Sequence, residues 1–262
     1  MPQLSETVSA AASAGGFSRG AMTLSIVVPA YNEEKLLGSC LESVAAAFRP
    51  LGASGPAREV IVCDNNSTDA TARIAASSGA KVVFEPVNQI GRARNAGAAA
   101  ASGDWLLFID ADSTLQAGTL KQLLAAIESG KYCGGGAEID LDYIPNFAVG
   151  TMVRSWNALS RIFKVAAGSF VFCRADAFTG IGGFSKELYA AEELFLSRNL
   201  KKWGRGRGLD FAVLEGPHVS SGRKLKIYTG KEMLAIMFGC LRRPFGFFRD
   251  PKLLKMLYDG RR

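Results

Sequence analysis

The stretch Trp105-Leu106-Leu107-Phe108-Ile109-Asp110-Ala111-Asp112-Ser113 limits the possible folds more than any other part of the chain. Five apolar residues in succession are too few for a helix and dense enough for a strand buried on both faces. The run then stops in two carboxylates one residue apart. Strands of this kind belong to parallel sheets, which collect ligands at the carboxyl ends of their strands. Asp110 and Asp112 are therefore expected where chemistry happens. Carboxylates this close repel, and a divalent cation relieves the repulsion most simply. Oxygen ligands favour Mg²⁺ or Mn²⁺, ions that accompany a substrate's phosphates. A polar turn would also use Asp and Ser, so the remaining sequence has to decide.

That sequence alternates. Strand patterns at residues 24–29, 59–62, 81–84 and 105–110 are separated by helical patterns with short loops. The first helix follows Tyr31-Asn32-Glu33-Glu34 and carries Leu36, Leu37, Cys40, Leu41, Val44 and Phe48 on one face. The second is expected to be capped by Ser67 or Thr68 and to stop at Gly79. Residues 91–101, 116–129, 146–164 and 192–202 read as further helices, and 132–141, 169–173 and 211–214 as strands. Phe147, Met152, Trp156, Leu159 and Phe163 form a stripe on the helix at 146–164, read as a core face or an acceptor-facing wall. Strand–helix alternation predicts an α/β fold, a mainly parallel central sheet flanked by helices.

Composition removes several functions. The single histidine, His218, excludes multi-histidine metal sites. Five scattered cysteines without a C-x-x-C read as buried thiols of a reducing compartment, and the chain is expected in the cytoplasm. No apolar run is long enough to span a bilayer. Residues 1–21, rich in Ala, Ser and Gly, are expected to be a disordered tail. Residues 198–262 hold 16 basic against 5 acidic side chains, a concentration that points to an anionic partner. No nucleic-acid-binding motif accompanies it.

Five segments line up in order with a known family. Ser25-Ile26-Val27-Val28-Pro29-Ala30-Tyr31-Asn32-Glu33-Glu34 resembles the opening strand and turn of glycosyltransferase family 2, and residues 62–71 (VCDNNSTDAT) its nucleotide-binding segment. Gly91-Arg92-Ala93-Arg94-Asn95-Ala96-Gly97 is similar to its G-x-x-x-R-N-x-G helix start, and Asp110-Ala111-Asp112 to its D-x-D. Gly182-Gly183-Phe184, then Glu192-Glu193-Leu194-Phe195-Leu196-Ser197-Arg198, resemble its G-G-F and E-D-x-x-L-x-x-R segments. The resemblance covers roughly residues 24–225.

It implies a GT-A-type single domain at 22–225. Residues 22–112 would hold a nucleotide-diphospho-sugar, 113–225 would shape the acceptor site, and a short basic helical extension would follow at 226–262. It also implies a hexosyltransferase-type enzyme that inverts the anomeric carbon. Pro29, Tyr31, Glu33 and Asp64 would frame the nucleotide, with Asp64 able to accept from a uracil N3–H, which favours a UDP-sugar. Arg94 could face a phosphate. Asp112, assisted by Asp110, would carry the Mg²⁺ or Mn²⁺. The base that takes the acceptor's hydroxyl proton falls on Glu193 or Glu192, where the family has an aspartate. His218 would add a metal ligand, and Arg223 and Lys224 a diphosphate clamp.

Two other readings compete. Phe108-Ile109-Asp110-Ala111-Asp112-Ser113-Thr114 also fits the opening motif of haloacid-dehalogenase-type phosphatases, with Asp110 as nucleophile. That motif belongs on a first strand, whereas three strand–helix units precede it here. The second is a catalytically dead GT-A module used for binding. A last expectation concerns the membrane. Arg242, Arg243 and Arg249 interleaved with Phe245, Phe247 and Phe248 suit a peripheral contact with anionic lipid, from which a lipid-linked acceptor would enter past Trp156 and Phe163.

Overall fold

The computed structural model describes residues 22–223 and 248–250. The tail at 1–21, Lys224, and the helical extension expected at 226–262 apart from residues 248–250, with Arg242, Arg243, Phe245 and Phe247, lie outside the described residues.

Strands β1 (Thr23–Ala30), β2 (Ala57–Asp64), β3 (Lys81–Phe84), β4 (Trp105–Ile109), β5 (Tyr132–Leu141), β6 (Phe170–Arg174) and β7 (Asp210–Ser220) form one sheet. Their order is β3-β2-β1-β4-β6-β5-β7. The pairs β3–β2, β2–β1, β1–β4 and β5–β7 are parallel, and β6 runs antiparallel between β4 and β5. The helices are α1 (Leu37–Phe48), α2 (Thr71–Ser77), α3 (Ile90–Ala99), α4 (Ala117–Glu128), α5 (Phe147–Phe163), α6 (Ala175–Gly180) and α7 (Glu192–Arg205).

The central strand is buried on both sides, as its composition requires. Leu107 and Ile109 join a core with Leu37, Val44, Phe48, Leu120 and Leu123 of α1 and α4. Leu106 and Phe108 face the opposite layer with Phe178, Phe184, Leu196 and Leu200. Each such side chain contributes about 1.5–3 kcal/mol by leaving water. The rings of Phe178 and Phe184 lie 5.3 and 5.1 Å from that of Phe108. Helix α3 sits tightly against the sheet at Gly97, where a Cβ would come within 2.4 Å of Val27 Cγ1.

Several local expectations change. Ser67 and Thr68 do not cap α2: Ser67 Oγ accepts the Asn32 N–H, and the Thr68 N–H donates to Asn32 Oδ1. Asp69 accepts the Thr71 N–H instead, so the helix starts later. Strand β7 continues to Ser220 through Pro217, which a strand at the sheet edge tolerates. The stripe on α5 is not a core face. Only Gly150, Val153 and Ser160 of that helix are buried, Trp156 is half-buried, and Phe147, Met152, Leu159 and Phe163 are exposed.

Candidate functional site

Parallel pairing brings the carboxyl ends of β1, β2 and β4 to one edge: Ala30 lies opposite Asp64, and Val27 opposite Phe108. A cleft opens there. Its wall includes Pro29 at the end of β1, Tyr31 and Glu33 after it, Asp110 and Asp112 after β4, Arg94 of α3, and Glu192 and Glu193 of α7. Residues from positions 29 to 193 of the chain thus meet in one place.

Backbone conformation aims the two acidic segments. Asn32 after β1 and Ala191 before α7 both take left-handed conformations, with φ of 51° and 59°. For a residue with a Cβ this costs roughly 1–2 kcal/mol, and such strain gathers at functional sites. Ala191 is the residue before Glu192, so the reversal fixes the direction in which both glutamates leave the helix.

Arg94 is the fixed centre of the site. It is 1% exposed, and its guanidinium donates to Glu192 Oε1 at 2.5 Å, Asp110 Oδ1 at 2.8 Å and the Gly168 carbonyl at 2.8 Å. Expected to face a phosphate, Arg94 lines the cleft with its guanidinium on these two carboxylates. An arginine suits either planar anion, and buried carboxylates demand a cation more strongly than a solvated phosphate does.

The two glutamates consequently differ. Glu192 is buried and spent on Arg94. Glu193 is half-buried, on the wall of the cleft. Burial, then the neighbouring Glu192, pushes its carboxyl up to about 8, against the pull of Arg94.

Arg223 links the two halves of the site. It forms an ion pair with Glu33 and donates to Asp112 Oδ2 at 3.1 Å. Asp64 is buried at the end of β2, accepts the Ser67 N–H at 3.0 Å, and lies beside the cleft wall. His218 is the residue expected as a further metal ligand. It is fully enclosed on β7, 5.1 Å from the Phe170 ring, and is not part of the cleft wall. Burial lowers its pKa to about 4, so the ring is neutral.

Among the described residues no three His, Cys, Asp or Glu side chains gather as a metal cage. Asp110 and Asp112 nevertheless fit Mg²⁺ or Mn²⁺, which take one or two carboxylates and complete their shell with phosphates and water. The Arg223 guanidinium on Asp112 already shows a cation compensated at that carboxylate.

Sequence reading missed the amides that brace the site. Gln89 donates from Nε2 to the carbonyls of Lys186 and Leu188, at 3.1 and 2.7 Å, and its N–H donates to Asn65 Oδ1. Asn95 holds Phe184 by both its N–H and its carbonyl. Both asparagines lie inside the recognised segments, beside Asp64 and Arg94, which was the available signal. Nothing in the sequence marks the Gly168 carbonyl.

Arg94→Met should destabilise the protein by about 3–5 kcal/mol, because the buried Glu192 and the half-buried Asp110 lose their cation. Urea unfolding measures it; an unchanged midpoint would contradict the role given to Arg94.

Residues 25–175 match the model of the family described as Glycosyl transferase family 2. An uncharacterized glycosyltransferase of Mycobacterium tuberculosis is 36% identical over 223 residues, covering 82% of this chain and 94% of that protein. TarS residues 1–349 from Staphylococcus aureus, solved with UDP-GlcNAc, align with a TM-score of 0.61 at 21% identity, covering 83% of this chain and 66% of that one. The mannosyltransferase PcManGT from Pyrobaculum calidifontis, solved with GDP-Man and Mn²⁺, aligns with a TM-score of 0.64 at 17% identity, covering 84% and 62%. At these identities the two structures share its fold.

Proposed function

The chain belongs to glycosyl transferase family 2 and has the GT-A fold, and from that premise we propose that it is an inverting, metal-assisted sugar transferase. One observation carries the reading: the acidic pair after β4 and the acidic pair opening α7 line the same cleft, with Arg94 tying one to the other.

Residues 22–112 bind the nucleotide and 113–225 the acceptor. Pro29, Tyr31 and Glu33 frame the base and ribose, and Asp64 accepts from a uracil N3–H, which favours a UDP-sugar. The fold is also solved with GDP-Man, so guanine is the competing base. Asp112, assisted by Asp110, would hold Mg²⁺ or Mn²⁺ on the donor's diphosphate, where the bound cation neutralises the charge of the leaving nucleotide. With Asp112 so occupied, Arg223 is released to the diphosphate, beside Lys224.

Glu193 takes the proton from the acceptor hydroxyl. The acceptor oxygen bonds to the anomeric carbon as the bond to the diphosphate breaks on the opposite face. The configuration inverts. Glu192 cannot compete for this role while Arg94 holds it; its part is to fix the start of α7.

The phosphatase and dead-module readings gain no support: the compared relatives are glycosyltransferases, and the D-x-D follows the fourth strand. The acceptor is a hydroxyl compound that we place on a lipid, reached from an anionic membrane surface. Among the described residues no helix is long and apolar enough to cross a membrane, so the contact would be peripheral.

A panel of UDP- and GDP-sugars, scored by thermal shift with Mn²⁺ and with EDTA, tests the donor half. Ligand at one hundred times its Kd should stabilise the fold by about 2.7 kcal/mol, and only with metal present. Nucleotide binding indifferent to EDTA would contradict the metal assignment.

A further inference from the structure

Helix α5 wears its apolar side outward. Phe147 is 82% exposed, Ile162 71%, Phe163 62% and Met152 54%, with Leu159 also exposed. Ile144, just before the helix, extends the patch. Contiguous exposed apolar surface of this kind marks an interaction site in a soluble domain. The side that meets the sheet carries Gly150, Val153 and Ser160, with Trp156 half-buried and Asn157 bonded to Ile139, while Phe147, Met152, Leu159, Ile162 and Phe163 are left exposed.

Its charges choose the occupant. Residues 143–164 contain no Asp or Glu and three cations, Arg154, Arg161 and Lys164. Arg154 lies 5.5 Å from the Phe147 ring. Arg161 and Lys164 pair with Glu138 and Asp210 from neighbouring strands. At the end of the helix, Lys201 of α7 donates to the Phe163 carbonyl at 2.7 Å, with Lys164, Arg205 and Asp210 close enough to act on it. A second copy bound about a two-fold axis would set this acid-free face against itself and offer no carboxylate to Arg154. Anionic headgroups complement it. An interfacial helix has this make-up, with aromatic and aliphatic residues entering the acyl boundary and basic residues at headgroup level.

We propose that α5 is the surface by which this protein rests on anionic lipid bilayers. Phe147, Ile162 and Phe163 enter the interface, and Arg154 meets the phosphates. The placement also deepens the acceptor half of the proposed reaction, on which it rests only for the acceptor's identity. Beyond Phe163 the chain is held by the Ala166 N–H on Ser197 Oγ at 3.1 Å, then reaches Gly168, which lines the cleft and binds Arg94. A hydroxyl carried at the bilayer surface therefore approaches from the side of Glu193.

The test is co-sedimentation of the full chain with vesicles of phosphatidylcholine alone and mixed with phosphatidylglycerol, at low and high salt. The parent should pellet with the anionic vesicles and less so in high salt. Phe147→Ser, Ile162→Ser and Phe163→Ser together should lower the bound fraction at least ~10-fold. These side chains are exposed, so the thermal shift on adding a nucleotide-sugar should be unchanged. That shift reports the donor reading separately: its absence in the parent would sink the reaction without touching the vesicle result. Three outcomes overturn the α5 surface. They are no pelleting of the parent with either vesicle, equal pelleting of the triple variant, and a dimeric parent that the triple variant renders monomeric. Loss of pelleting only in Arg242→Ser, Arg243→Ser, Arg249→Ser would likewise overturn it and assign the contact to the basic C-terminal segment.

Discussion

Glu193→Gln lowers kcat by ~10²–10⁴-fold while donor binding stays close to that of the parent. The glutamine keeps the size of the side chain and removes only the capacity to accept a proton. Steady-state kinetics should therefore show the loss in kcat, with the thermal shift from donor and metal unchanged. The pH dependence adds a second readout. Burial and Glu192 raise the Glu193 carboxyl from its ordinary 4.5 to about 8. A base must be ionised to act, so the rate should climb as pH passes through about 8. Stability runs the other way. The folded state holds this proton more firmly than the unfolded chain, so the group's contribution is complete below about pH 4.5 and lost as pH rises through 8. Glu193→Gln has no such proton to lose, so its Tm relative to the parent's should rise between about pH 4.5 and 8 and level off above that. Glu192→Gln should instead lower Tm, because Arg94 loses an ion-pair partner. An inactive, stable Glu192→Gln beside an active Glu193→Gln would reverse the assignment.

Asp112→Ala lowers kcat/KM by at least ~10³-fold, about 4 kcal/mol of transition-state stabilisation, the scale expected when a Lewis acid is lost. The fold should survive, because Arg223 keeps its second carboxylate, Glu33. In the variant the thermal shift by a nucleotide-diphosphate should no longer depend on Mn²⁺. Parental turnover, or a metal-dependent shift of parental size, would show that the metal is held elsewhere.

What could be read in advance follows from the range of each interaction. The run 105–109 is apolar at every position, and that alone demands a partner layer on both faces; the structure supplies both. The direction of β6 was beyond reach. Four or five apolar residues carry no polarity, and only pairing with Phe108 and Gly135 makes the strand antiparallel to both neighbours. The stripe on α5 was legible as a stripe, but amphipathicity states a preference for leaving water, not what lies opposite. Here the sheet takes Gly150, Val153 and Ser160 and leaves both phenylalanines outside. The segment of Arg94 is legible in the sequence, whereas its Glu192 partner, 98 residues away, is not. Local patterning finds segments; long-range pairing assigns their side chains.

The central claim is a single displacement driven by Glu193 across from a metal-bound diphosphate. The stereochemistry of the product tests it most directly. The enzyme is given the donor chosen by the nucleotide-sugar panel, with an α-linked sugar and Mn²⁺, and the first product is followed by proton NMR of the anomeric signal before mutarotation. Whether water or the acceptor takes the sugar, the account predicts that the β-configured product appears first, and that Glu193→Gln suppresses it. An α-configured first product would require two displacements or a front-side attack, and would contradict the role of Glu193 as the base of an inverting transfer.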